Sequence, residues 1–472
     1  MCGSAERVVS ISYRCIAVVA FLAGAAALAA GQTRSPLNAS GPALLSCSPA
    51  PCVLPPTQAS PGPNSVDSAP IAVDPSNSSN IIVGSNDRNC GFQGEPSLGF
   101  FLSRNDGSDW NQYCMPGRSY QGQGYLPGEE PILGYDLNGT AYIAGWYADE
   151  NSGSNIVAEA FQKSSDGVNW SPPAPAVYRK DYGPNCGWLA VDTNVGSPYL
   201  NSVYISCVLI GRKYYQVVVS HSNDAGATWH MVNVAPPQAY PAADPYGSMS
   251  VGRDGSVYLT WQYCDQNNSC GGTGPAYMVF SKSRDGGNTW SKPRVAAGVD
   301  LIYPLPNAHV NAINTPVIGV DASAGPYSGN LYVAMYSWTG AFMQVVVARS
   351  MDGGTTWSKP VPVAPPSDTH DQFFPWLSVS PMGVVGVMWL DRRNDPANVN
   401  YQAYAAISTD GGLTFQPNVQ LTENFSNPNV FGIGNASYNG AAWDGPNYFL
   451  AAWMDTSNGV NTQDVVGGIR LK

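Results

Sequence analysis

Several short stretches place carboxylates beside aromatic rings, arginines or a histidine. They are Asp87-Arg88, Glu129-Glu130, Trp146-Tyr147-x-Asp149-Glu150, Asp181-Tyr182, Asp244-x-Tyr246, His370-Asp371 and Trp389-Leu390-Asp391-Arg392-Arg393. Two carboxylates flanking a glycosidic bond can act as acid and as base or nucleophile. Aromatic faces stack on sugar C–H surfaces, and guanidinium groups grip anions through paired N–H donors. On this reading Glu130, Asp149, Asp371 and Asp391 are the catalytic candidates. Arg88, Tyr182, Tyr246, His370, Trp389, Arg392 and Arg393 are the ligand-binding candidates. The plain alternatives are that the tryptophans pack between structural units and that Asp391 and Arg392 pair locally to order their loop.

Other chemistries are disfavoured. The formal charge of −11 argues against a nucleic-acid partner, which needs a basic face. With four histidines and no HExxH or Cys-x-x-Cys spacing, a zinc site is not expected. No organic cofactor is implied; clustered loop oxygens leave calcium open.

The elements that would position these residues repeat. A turn of the form Ser-x-Asp-x-Gly-x-Thr-Trp occurs six times, as SRNDGSDW, SSDGVNW, SNDAGATW, SRDGGNTW, SMDGGTTW and STDGGLTF. Its aspartates are read as Asp106, Asp166, Asp224, Asp285, Asp352 and Asp410, at intervals of 58 to 67 residues. An Asp in such a turn accepts bonds from backbone N–H groups just beyond it, and Gly supplies positive φ. Before each turn lies a hairpin pattern, as in PIAVDPSNSSNIIVGS (70–85) and FPWLSVSPMGVVGVMWLD (374–391). A third apolar run, such as MQVVVARS (343–350), and a proline-containing fourth, such as WSKPVPVAP (357–365), complete each unit.

Seven hairpins but six turns are present, because the chain stops after the third strand of the last unit (464–472). The missing outer strand can come from the N-terminal arm. The fold expected is an all-β propeller of seven four-stranded blades, with six as the alternative. In such a ring the loops between second and third strands, and between blades, share one face. That face carries the candidate residues.

The repeated turns after β-meanders resemble the Asp-box (BNR repeat) sialidase-like superfamily, over roughly residues 70–472. That group includes exo-sialidases, xyloglucanases and non-catalytic propellers, so the resemblance implies the fold more firmly than an activity. Its sialidases clamp a substrate carboxylate with three arginines and use a Tyr–Glu pair with an Asp acid/base. The Phe/Tyr-Arg-Ile-Pro segment of those enzymes is missing: the matching stretch, SAPIAVDP (68–75), has no arginine. The resemblance therefore leaves two readings, a glycoside hydrolase acting on a terminal or anionic sugar and a non-catalytic glycan- or protein-binding propeller.

Residues 1–31 read as a signal peptide: Arg7 and Arg14 precede the apolar run CIAVVAFLAGAAALAA (15–30) and small residues follow. Residues 32–66 read as a Pro/Ser-rich linker or arm and 67–472 as the propeller. A secreted, periplasmic or cell-surface monomer is expected, with a carbohydrate or glycoconjugate partner and no membrane insertion after signal cleavage. Beyond the signal eight cysteines remain, which in an exported chain reads as disulfides. Short loop closure favours the neighbour pairs Cys47 and Cys52, Cys90 and Cys114, Cys186 and Cys207, and Cys264 and Cys270.

Overall fold

The computed structural model describes residues 38–40, 47–120, 123–149, 156–239, 247–263, 274–302, 304–307, 310, 315–430 and 438–472. Seven antiparallel sheets, each with a four-stranded core, form the blades of a ring. The first blade runs outward from Ile71–Val73 through Ile81–Asp87 and Ser97–Ser103 to Asp109–Cys114. Second and third strands are largely buried along their length because neighbouring blades cover both faces. Every residue of Ile81–Asp87, Val385–Asp391 and Gln402–Ser408 is buried. Trp261, Trp389 and Trp453 on second strands are buried in this way, as interblade packing requires.

The seventh blade closes the ring. Its strands Gly440–Asp444, Tyr448–Asp455 and Gln463–Arg470 come from the C-terminus, and its outer strand, Cys52–Gln58, comes from the N-terminal arm. Val53 pairs with Ile469 and Gln58 with Val465, which removes an open edge that would otherwise invite pairing with another chain. The Cys47–Cys52 disulfide anchors this strand, and Arg470 Nη1 donates to the Cys47 carbonyl (2.9 Å). Cys90–Cys114 and Cys186–Cys207 are also bonded. Cys264 and Cys270 lie outside the described residues.

The recurrent turns behave as local staples. Ser350 Oγ donates to Asp352 Oδ1 (2.8 Å), and the Thr356 hydroxyl donates to Oδ2 (2.6 Å). The Thr356 hydroxyl and amide hold the Asp352 carboxyl down at about 2. The first turn departs from its sequence reading. There the Ser103 hydroxyl bonds Asn105 Oδ1 (3.0 Å), which also accepts the Asp109 amide (2.9 Å). Asn105, not Asp106, occupies the motif's acidic position, because what the turn needs is a side-chain acceptor two residues after the serine.

The turns also clasp one another. Lys163, Lys282 and Arg349, each just before the turn serine, donate to the carbonyls of Ala225, Gly353 and Gly411 in the next blade. Arg104 does the same to Asp166. The turn tryptophans pack edge-on against a phenylalanine of the preceding blade, Trp170 on Phe100, Trp229 on Phe161 and Trp357 on Phe280.

Across the central channel, the inner strands of blades three and six each bulge before a tryptophan. Trp188 and Trp376 stack with centroids 5.0 Å apart, and Trp376 stacks on Tyr438 at 5.7 Å. The Tyr438 hydroxyl donates to the Pro131 carbonyl (2.7 Å), tying the seventh blade to the second through this aromatic group.

Candidate functional site on the loop face

In the sixth blade the candidates do meet. The loop before the inner strand Gln372–Val379 and the end of the second strand Val385–Asp391 bring Asp368, His370, Asp371, Trp389, Asp391, Arg392 and Arg393 together. The pairing differs from the sequence expectation. Asp391 binds Arg393, whose Nη2 donates to Oδ2 (2.6 Å), while Arg392 Nη1 donates to Asp371 Oδ2 (3.0 Å). The strand ends at Asp391 and the chain turns at once, with Asp395 N donating to the Arg392 carbonyl (2.9 Å), so the two adjacent arginines serve different carboxylates.

These groups pair largely with one another, although Arg392 Nε and Nη2 are buried without a hydrogen-bond partner among the described residues. Asp371 also accepts from the Met343 amide and Asn398 Nδ2, both at 2.9 Å. Asp391 accepts from Trp389 Nε1 (2.6 Å) and the Arg393 amide (2.8 Å). Burial pushes the Asp391 carboxyl up, with Arg393 opposing and Asp368 reinforcing the shift. Arg393 Nε reaches Asp368 (3.1 Å), and its guanidinium lies 4.2 Å from the Tyr404 ring centroid. Arg392 is fully buried over Phe373. The His370 side chain, 30% exposed and 3.6 Å from Asp368, remains at the surface.

A second set of carboxylates joins blades seven, one and two. Asp87 ends a second strand and accepts from the Asn89 amide and Asn89 Nδ2, both at 2.7 Å. Asp67 accepts from Asn86 Nδ2 (2.7 Å), and Asn86 Oδ1 in turn accepts the Glu130 amide (2.6 Å). That last bond helps hold Glu130 in the left-handed region, at φ 64°.

The loop bearing Glu130 runs along Trp146: Gly128 N donates to the Trp146 carbonyl (3.0 Å), and Trp146 N donates to the Glu129 carbonyl (3.2 Å). A Cβ on Gly128 would collide with the Trp146 ring, so only glycine permits this approach. Directly opposite Trp146 in the sheet stands Glu159. Glu159 is 1% exposed, and one of its carboxyl oxygens has no hydrogen-bond partner among the described residues. Burial, reinforced by the charge of Glu130, drives its carboxyl well above the usual carboxylate range. Tyr147 beside it is raised by burial and by Glu159. Asp464, wholly buried on the seventh blade, is likewise pushed well up by burial, with Asp67 and Asp87 adding to the shift.

The remaining candidates lie apart. Arg88 Nη1 donates to the Gly94 carbonyl (3.0 Å) in its own blade. Tyr182 lies under Arg179, 5.6 Å from ring centroid to guanidinium. The backbone of Asp149 pairs with Tyr125, and Tyr246 lies outside the described residues. Among the described residues, no group of three or more His, Cys, Asp or Glu is arranged to hold a metal ion. Nor is any helix there long and apolar enough to cross a membrane. Glu159 and Asp464 escaped the sequence reading because each is a lone acid in an ordinary strand. The available signal was periodicity: both stand where a neighbouring blade must cover them.

No family model matches the chain. A xyloglucanase from a Paenibacillus species is 25% identical over 274 residues, which are 54% of this chain and 23% of that protein. Among solved structures, an ulvan lyase of a polysaccharide lyase family aligns with a TM-score of 0.48 at 14% identity, over 86% of this chain and 94% of that one. A Hadza microbial sialidase aligns at 0.45 and 12% identity, over 93% and 99%. An α-L-arabinofuranosidase of Fusarium graminearum, solved with arabinobiose, aligns at 0.46 and 14%, over 72% and 92%. Seven four-stranded antiparallel blades in one ring decide the architecture. The chain is a seven-bladed β-propeller. Within this propeller, the two loop-face clusters differ: blade six pairs its charges with one another, whereas Glu130 is half-buried and its charge reinforces the upward shift of the Glu159 carboxyl.

Proposed function

We propose that this chain is an exported, carbohydrate-active propeller whose chemistry lies at the Glu130–Glu159 pair on the loop face. One feature carries the reading: Glu159 is buried opposite Trp146, and burial with the charge of Glu130 raises its carboxyl well above the ordinary range, the condition under which one carboxyl serves as acid and the other as base. A glycoside hydrolase needs that division, with Glu159 giving a proton to the leaving oxygen and Glu130 activating water or attacking. The xyloglucanase likeness and the three disulfides support a glycan substrate and an oxidising compartment. A sialidase activity is not proposed, since Arg88, Arg392 and Arg393 bind separate partners within the protein.

A second reading, a non-catalytic glycan-binding propeller, is favoured by the internally ion-paired charges of blade six and the 1% exposure of Glu159. The test is release of reducing ends from xyloglucan, arabinan and an aryl-glycoside panel by the wild type, Glu130→Gln and Glu159→Gln. The hydrolase reading expects turnover that falls at least a hundredfold in both variants. Glycan-array binding with no turnover supports the second reading instead.

A further inference from the structure

On the face opposite the loop-face carboxylates, blades one and two enclose a polar pocket of about 220 Å³. Leu102 and Tyr135 supply its apolar surface, and Asp74, Asn77, Arg104 and Asn138 its polar groups. The pocket is built from fixed parts. Asp74 Oδ1 accepts the Ser76 amide (2.8 Å) and hydroxyl (2.7 Å), and Oδ2 accepts Asn80 Nδ2 (3.0 Å). Gly139, at φ 82°, keeps the wall back, because a Cβ there would run into Ser76 and Asp74.

Tyr135 is the anomaly. It is the last residue of the second blade's inner strand, where five of the other six inner strands have valine: Val73, Val191, Val251, Val320 and Val379. Valine serves the packing there; the Tyr135 ring packs too, in the core with Ile82 and Leu102, so it is the hydroxyl that packing does not need. Tyr135 is 7% exposed, and its hydroxyl forms no hydrogen bond within the described residues. That hydroxyl is reachable from the pocket and so is available to donate to or accept from a ligand. Nearby, Arg104 Nη2 is committed to the Asp166 carbonyl, while its Nε and Nη1 have no partner among the described residues.

The ligand chemistry follows from this inventory. Asp74 and Asp166 outweigh the single cation Arg104, which disfavours an anion. The pocket offers donors from Tyr135, Arg104 and two amides, acceptors from Asp74 and those amides, and an apolar side for C–H groups. A neutral polyhydroxylated ring matches all three. We infer that this pocket is a second binding site, on the turn face, for a single neutral sugar residue. The inference stands apart from the loop-face reading, since the two sites share no residue.

Saturation-transfer NMR on the full chain, with glucose, galactose, xylose, arabinose and rhamnose as separate probes, tests it. At least one sugar is expected to receive transfer, and its dissociation constant to rise fivefold or more in Tyr135→Phe and Arg104→Gln, but not in Glu130→Gln. No transfer to any of the five sugars overturns the inference. So does transfer that survives unchanged in both pocket variants, or that is lost only in Glu130→Gln.

Discussion

Asp371 and Arg392 meet at 3.0 Å in the interior of the sixth blade, both essentially without solvent exposure. Arg392 also donates to the Pro306 carbonyl (3.1 Å), so the pair ties blade six to the segment leading into blade five. Removing one member strands the other charge in a low-dielectric interior. Asp371→Ala is expected to destabilise the protein by about 3–5 kcal/mol, measured as a lower denaturant midpoint in equilibrium unfolding. A change below about 1 kcal/mol, the scale of an exposed pair, would show that the pair is solvated.

Glu159 and Asp464 invert the usual pH rule for carboxylates. Their folded pKa values lie above the unfolded ones, so the folded state keeps protons that the unfolded state releases above roughly pH 4. Each group therefore lowers stability as pH rises through that window. Glu159→Gln and Asp464→Asn are expected to raise Tm at pH 7 and to change it little at pH 4. Thermal melts at the two pH values check this; a lower Tm at pH 7 contradicts it. Under the hydrolase proposal, only Glu159→Gln of the two should also abolish turnover, a trade of function against stability.

His221 sits just before the turn serine, where blades two, four and five place Lys163, Lys282 and Arg349 to clasp the next turn. It is buried, and neither ring nitrogen has a hydrogen-bond partner among the described residues. Burial, then His230, press its pKa below the ordinary value. The unfolded chain takes up this proton first, so the group's stability contribution is full above about pH 6.5 and is lost as pH falls below it. His221→Lys should remove that acid sensitivity and supply the missing clasp to blade four, raising Tm at pH 5.5 more than at pH 8. Equal shifts at both values would refute the titration argument.

The N-terminal strand Cys52–Gln58 is the outer strand of the last blade. Deleting residues 47–58 removes that strand and bares the backbone of Gln463–Arg470 as an open edge. The truncated chain is expected to be aggregated or unfolded, seen by size-exclusion chromatography and circular dichroism. A monomeric, cooperatively melting truncation would mean that the strand is dispensable.

What could be read from the sequence was local or countable. The turns and hairpins carry their signals within a few residues, and the shortfall of one outer strand in seven units pointed to the arm that supplies it. The blade-six cluster was visible because its members lie in two short segments that the ring makes adjacent. Its pairing was not: choosing between Arg392 and Arg393 as the partner of Asp391 depends on side-chain direction. The Trp188–Trp376 stack joins residues from blades three and six, and no local pattern encodes a contact across a channel. Glu159 was hidden for a different reason: a lone acid in an ordinary strand carries no motif, and only its place in the strand's periodicity hinted at burial.

The proposed acid–base division requires Glu159 to hold a proton while Glu130 is charged. Carbon-13 NMR of the labelled glutamate carboxyls, followed against pH in the wild type and in Glu130→Gln, measures that directly. The expected result is a Glu159 midpoint well above the ordinary glutamate range, moving down when the Glu130 charge is removed. A Glu159 carboxyl that titrates at the ordinary value, or that is indifferent to Glu130→Gln, would contradict the proposed division into acid and base.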